Sequence, residues 1–277
     1  MGVNLSSSLL PPGEGSPSAY GGDEDGGPLS RRTSSQPGPS PVKRGGDGRV
    51  RPRRIGVFGG TFDPIHEGHL AVARCARDAF RLDAVLFVPA PRPWLRPRGP
   101  VAPPEDRLHM VRLATAGEPS FRVSTVDLDR RGTTYTADTL QDLTTDLGRD
   151  VEFYLVLGAD SLRHLDRWGR VDEVLAQCAI AGVGRPGEPR PPELPEGHPG
   201  RKARFVEGPM INVSATEIRR RLSAGESCAG MLPAAVEQYI REKGLYGARP
   251  ERVPLARQGS RLIAAGPRGN IGREATG

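Results

Sequence analysis

The chain has 277 residues, 26% of them charged and 36% hydrophobic, with a formal net charge of +6. The positive excess sits at the two ends: residues 1–54 carry net +3 and residues 248–277 net +4, which leaves the span between them near neutral, at −1. A neutral core argues against a nucleic-acid-binding domain, which ordinarily carries a basic face; three widely spaced cysteines fit neither a disulfide framework nor a zinc site, and no apolar run is long enough to span a membrane.

Residues 1–53 are rich in Gly, Pro and Ser. Such a segment buries too little apolar surface to offset its ordering entropy, which predicts a disordered tail. It opens on MGVNLS, which fits an N-myristoylation pattern, but nothing else in the chain suggests a membrane anchor, and a secretory signal's basic and apolar regions are lacking. Arg54–Phe58 is a short β-branched run that predicts a first strand, ending in Gly59-Gly60. Apolar spacing near 3.6 predicts a helix over 69–80, followed by a strand at Ala84–Pro89 and a helix at 104–116. Phe121–Val126 reads as a strand, and Ala137–Leu147 as a helix behind a Thr-rich start able to cap it. Val151–Leu157 is a strand, 171–177 a short helix, Cys178–Val183 a buried strand and Ala203–Val206 a shorter one. Between the last two, residues 185–200 form a Pro/Gly-rich loop. Ser214–Leu222 and Pro233–Lys243 are the last helices, and residues 248–277 form a second disordered tail.

The expected domain is therefore 54–247. Apolar strands alternating with helices predict an α/β fold with a doubly wound, mostly parallel sheet covered on both faces. Such a sheet binds ligands beyond the carboxyl ends of its strands, so the segments after strands should carry the chemistry.

The first of them is Gly59–His69, GGTFDPIHEGH, which leaves a strand and opens a helix. Gly59 and Gly60 let backbone N–H groups approach a phosphate, and a helix N-terminus adds a positive dipole end. His66 and His69, three apart, share a helix face, and with Thr61 and Phe62 they form a candidate phosphate site suited to charge developing on a phosphoryl group. No third ligand accompanies the two histidines, so no protein metal site is expected. The second segment, residues 211–219, reads INVSATEIR. Ser214 and Glu217 have the spacing of a capping box, and Ser214, Thr216 and Arg219 at a helix start make a second anion site.

GTFDPIHEGH resembles the signature of the HxGH nucleotidyltransferase superfamily, and Ser214, Thr216, Ile218 and Arg219 match its late S-x-T-x-I-R pattern. Three further segments are similar to bacterial nicotinate-nucleotide adenylyltransferases: VPAPRPWLRPR at Val88–Arg98, GTTYTADTL at Gly132–Leu140 and GADSLRHLDRW at Gly158–Trp168. Arg185-Pro186-Gly187 also fits the family, beside the adenosine. The resemblance implies a Rossmann-like fold and transfer of AMP from ATP to nicotinate mononucleotide, with pyrophosphate leaving. It implies His66 and His69 at the α-phosphate, and Ser214, Thr216 and Arg219 on the leaving pyrophosphate. Arg96 (or Arg92 or Arg98), Tyr135, Thr136, Asp160 and Trp168 would meet the acceptor, Trp168 by stacking and the backbone near Tyr135 and Thr136 by receiving a carboxylate. Mg2+ would bridge the ATP phosphates through their own oxygens. The implied setting is the cytoplasm, with no nucleic-acid or membrane partner; a homo-oligomer stays an open option. Competing readings are another acceptor in the same superfamily (nicotinamide mononucleotide, phosphopantetheine or a cytidylyl transfer) and a non-catalytic nucleotide sensor. Phosphopantetheine enzymes usually carry Thr where this chain has His66. An aminoacyl-tRNA ligase would need a longer chain and a Lys-rich second motif, whereas Ser214–Arg221 has no Lys.

Overall fold

A computed structural model describes residues 53–91, 101–184 and 193–249. The two tails up to residue 52 and from residue 250, the three arginines Arg92, Arg96 and Arg98, and the Arg185-Pro186-Gly187 turn lie outside the described residues. Six strands appear in chain order: β1 (Arg53–Gly60), β2 (Ala84–Pro89), β3 (Phe121–Val123), β4 (Val151–Gly158), β5 (Cys178–Val183) and β6 (Arg204–Val206). They form one sheet in the order β3-β2-β1-β4-β5-β6, and every pairing is parallel. The chain runs outward from β1 through β2 to β3, then returns to the other side of β1 with β4. The order reverses between β1 and β4, which opens a crevice at their carboxyl ends.

Strand alternation divides the core. Phe58, Tyr154, Val156, Ala181 and Val183 face one side, packed with residues from α1 (Glu67–Ala79), α2 (Pro104–Thr115), α7 (Ala215–Ala224) and α8 (Ala234–Lys243). Ile55, Val57, Phe153, Leu155, Leu157 and Ile180 face the other, against α4 (Thr136–Leu147), α5 (Ala159–Arg163) and α6 (Val171–Gln177). The period of two along each strand thus feeds two cores, one on each face of the sheet.

Three local departures from the sequence reading bear on the site. Phe121–Val126 does not continue as a strand: β3 stops at Val123, and α3 (Val126–Asp129) begins at once. Thr125 and Asp129 account for the turn, since the Asp129 N–H donates to the Thr125 carbonyl at 2.9 Å and the Thr125 hydroxyl to the Asp129 carboxylate at 2.6 Å. Helix α5 starts directly after β4 and is five residues long, too short to show a helical period. The Thr-rich segment before α4 does not cap it: Tyr135 is the N-cap, and no side chain accepts from the first turn.

Candidate active site

A cavity of about 720 Å³ opens at the carboxyl ends of β1 and β4. Its floor is the β1–α1 connection. Gly60 has no room for a side chain, because a Cβ would stand 2.9 Å from Cζ of Phe62. Phe62, at φ 47°, folds back over that glycine and meets His69 edge-on at 5.1 Å between ring centres. Gly59 is the opposite case: a Cβ there would meet nothing within 4 Å, so the strand backbone is left open to a ligand.

His66 is the N-cap of α1 and His69 its third residue, and their rings stack with centroids 3.7 Å apart. Gly68 permits this, since a Cβ on it would press to 3.0 Å from Nδ1 of His66. The His66 N–H donates to Nδ1 of His69 at 3.2 Å, which leaves Nε2 to carry the His69 proton. Both imidazoles are neutral. Burial drives the His69 pKa down to about 3, and burial followed by the facing His69 holds His66 well below its ordinary value. Each ring therefore brings one N–H to the cavity wall, and an arriving phosphate would raise its proton affinity.

The α7 N-terminus closes one side, with Ala215 on the cavity wall. Ser214 accepts from the Glu217 N–H at 3.2 Å as the N-cap. The box is not reciprocal, because Arg220 and Arg221 hold the Glu217 carboxylate and, by those hydrogen bonds, keep its pKa down at about 2. Arg219 donates to the Asp63 carbonyl at 2.7 Å and to the Thr216 hydroxyl at 3.3 Å, which ties the second anion motif to the first loop. Ser214, Thr216 and Arg219 flank the cavity and do not line it.

The opposite wall comes from Gly132–Thr136, Thr139, Trp168 and Gly169. The uncapped α4 N-terminus meets the cavity here through Tyr135 and Thr136. Thr134 Oγ1 and Trp168 Nε1 are buried in this wall without a hydrogen-bond partner. Gly169 makes room for the Tyr135 ring: a Cβ at 169 would stand 2.7 Å from Cε1 of Tyr135. Asp127, on the same wall, has its pKa raised to about 6 by burial, with the Thr139 hydroxyl, donating at 2.6 Å, working against that rise. Asp160 is not brought onto the wall: it pairs with Arg163 at 2.9 Å, and its neighbour Ser161 lines the cavity instead.

Asp63, Arg107 and Tyr246 join the site through contacts that no motif of the sequence announces. The Asp63 carboxylate accepts from the Val101 and Ala102 N–H groups at 2.9 and 3.1 Å and from the Tyr246 hydroxyl at 2.8 Å. Arg107 had a signal: it precedes Met110, Val111 and Ala114 by three, four and seven, so it stands on the buried face of α2. Among the described residues, no group of three or more His, Cys, Asp or Glu is placed to hold a metal ion. No helix of the described residues is long and apolar enough to cross a membrane.

Residues 57–221 match a family model described as cytidylyltransferase-like. The chain is 46% identical over 197 residues to a probable nicotinate-nucleotide adenylyltransferase of Saccharopolyspora erythraea, covering 91% of that protein and 71% of this chain. A protein of Acidothermus cellulolyticus with the same description is 42% identical over 200 residues, covering 95% of it and again 71% of this chain. Among solved structures, a nicotinic acid mononucleotide adenylyltransferase of Plasmodium falciparum complexed with NaAD superposes with a TM-score of 0.58 at 19% identity, covering all of that chain and 72% of this one. At that identity it speaks for the fold alone.

Proposed function

The chain belongs to the nicotinate-nucleotide adenylyltransferase family of cytidylyltransferase-like enzymes, and we propose that it transfers AMP from ATP to nicotinate mononucleotide, giving nicotinate adenine dinucleotide and pyrophosphate. An oxygen of the acceptor's 5′-phosphate attacks the α-phosphorus of ATP in line, that P–O bond forms, and the bond to the bridging oxygen of pyrophosphate breaks. No protein nucleophile is required, so the protein contributes positioning and stabilisation of charge. His66 and His69 donate from their single N–H groups to the α-phosphate, on a floor kept open by Gly59. Ser214, Thr216 and Arg219 receive the β- and γ-phosphates at the α7 N-terminus. Mg2+ would arrive with the ATP phosphates and neutralise part of their charge.

The observation that carries the acceptor assignment is the composition of the Tyr135–Trp168 wall. At the cavity it presents the N-terminus of α4, which no side chain caps, through Tyr135 and Thr136. The free N–H groups of a helix start are donors, and a carboxylate satisfies donors on both oxygens, whereas a carboxamide turns an NH₂ toward one of them. Trp168 adds a flat face for a pyridine ring. Asp160 is a poor candidate for direct acceptor contact while it pairs with Arg163. Arg96 is kept as a candidate for the acceptor phosphate on the strength of the family resemblance.

The test is pyrophosphate release with each acceptor. Nicotinate mononucleotide should be used with a kcat/KM at least about tenfold above the nicotinamide form, because one charge-assisted hydrogen bond contributes roughly 1.5–3 kcal/mol and 1.4 kcal/mol is tenfold. Trp168→Ala removes the stacking face that both acceptors would share, so it should weaken both by similar factors and leave that ratio roughly intact. Equal use of both acceptors by the wild type defeats the carboxylate argument.

A further inference from the structure

Arg107 lies behind the cavity wall and has no exposed surface. Its guanidinium is spent on backbone carbonyls: Nη1 donates to Thr61 at 2.6 Å and to Ala90 at 2.7 Å, Nη2 to Pro91 at 2.8 Å, and Nε to Ala102 at 3.2 Å. Thr61, Ala90 and Pro91 all line the cavity. They come from two different connections, β1–α1 and β2–α2. The two peptides just before that carbonyl are held too, since Asp63 of the first connection accepts from the Val101 and Ala102 N–H groups. Tyr246, 183 residues further along, donates to the same carboxylate.

We propose that Arg107 is a positioning residue for the transfer reaction: it fastens the two connections together and turns three carbonyl oxygens of the cavity wall away from the polyphosphate. A carbonyl oxygen carries partial negative charge, so one facing the cavity would repel phosphate oxygens. In a trans peptide the N–H points opposite to the C=O. Drawing the Thr61 oxygen back onto Arg107 therefore turns the Phe62 N–H away from the guanidinium. The arrangement needs a planar fork with several donors at set angles. A lysine keeps the charge but is a flexible point donor, with at most three hydrogens for four carbonyls.

This inference rests on the adenylyl-transfer reading, and the assay separates the two. Arg107→Lys is compared with wild type in steady-state kinetics, with its melting curve measured alongside. At a temperature where both are folded, kcat should fall at least tenfold and the KM for ATP should rise severalfold, because carbonyls freed toward the cavity would repel the polyphosphate both on binding and during transfer. A folded Arg107→Lys with kcat within threefold of wild type overturns the proposal, as does a loss that tracks the folded fraction alone. Should Arg107→Lys not fold, Tyr246→Phe removes only one hydroxyl from the Asp63 carboxylate and should lower kcat severalfold; an unchanged kcat there overturns the proposal too. If the wild type prefers a different acceptor mononucleotide, the acceptor assignment fails while the fastening is judged by the same kinetics with that acceptor.

Discussion

At the scale of single residues, His69 has two jobs that a substitution can separate. Its Nδ1 accepts the His66 N–H at the start of α1, and its Nε2–H is the donor that the proposed function assigns to the α-phosphate. Asparagine places an amide oxygen near the Nδ1 position and has nothing at Nε2. His69→Asn should therefore keep the helix start and lower kcat by roughly 10²–10³, the usual cost of one preorganised donor. The same variant tests the protonation state. The folded pKa of about 3 lies below the ordinary 6.5 of an unfolded histidine, so between these values the unfolded chain binds more protons and stability falls as pH falls. The slope from one such group is up to about 1.4 kcal/mol per pH unit. Asp127 works in the other direction between its ordinary 3.8 and its folded value of about 6, so the comparison of variant with wild type is the informative one. Urea midpoints between pH 7 and 5 should decline less steeply in His69→Asn; parallel curves would mean that His69 titrates normally in the folded protein.

At the scale of elements, three of the helices that begin at the cavity leave their first turns in different states. Helix α1 satisfies a donor through His69, α4 has no side-chain cap, and α7 is capped by Ser214. Ser214 raises the question of whether a phosphate-motif serine is only a cap. Ser214→Ala removes the cap, which costs about 1 kcal/mol and about 2–4 °C in melting temperature for a domain of this size. Ser214→Asp restores a good N-cap but sets a carboxylate where a polyphosphate should lie. If the site binds the leaving pyrophosphate, Ser214→Asp should melt near the wild type while its KM for ATP rises well above that of Ser214→Ala. An aspartate variant with wild-type ATP kinetics would leave Ser214 a cap and nothing more.

At the scale of the whole molecule, the sheet starts at Arg53, and relatives that are covered to 91–95% of their length match only 71% of this chain. The remainder has the composition of a tail. Deleting residues 1–50 should leave kcat, KM and melting temperature nearly unchanged, because that segment carries no apolar pattern able to dock on the core. A loss of several degrees in the melting curve would show that the segment packs on the domain. Within the domain, the site depends on elements far apart in the chain: Asp63 is joined both to Tyr246 and, through its carbonyl, to Arg219. The C-terminal turn is thus part of the active-site frame.

What the sequence alone determined was the order of the six strands and of the longer helices, and the two motifs that carry the family resemblance. Those signals are local: an apolar period read over a dozen residues, or a strand, two glycines and a helix start within eleven. The parallel α/β architecture followed from the same alternation, and the family resemblance followed from motifs that are contiguous in the chain. Only the tertiary structure decided which of the motif residues line the cavity. The family resemblance gives Asp160 to ribose hydroxyls or to magnesium-bound water, and the structure pairs its carboxylate with Arg163, three residues on, while Ser161 lines the cavity. The Thr-rich segment has the composition of a cap, yet none of its side chains caps α4. The neutrality of His66 and His69 comes from burial beneath two aromatic rings and against each other, and desolvation is a property of the packed molecule that no spacing encodes. Arg107 shows the boundary most directly. Its helical register marks it as buried, but the four carbonyls it needs arrive from other connections, brought to it by the crossover of the chain around β1.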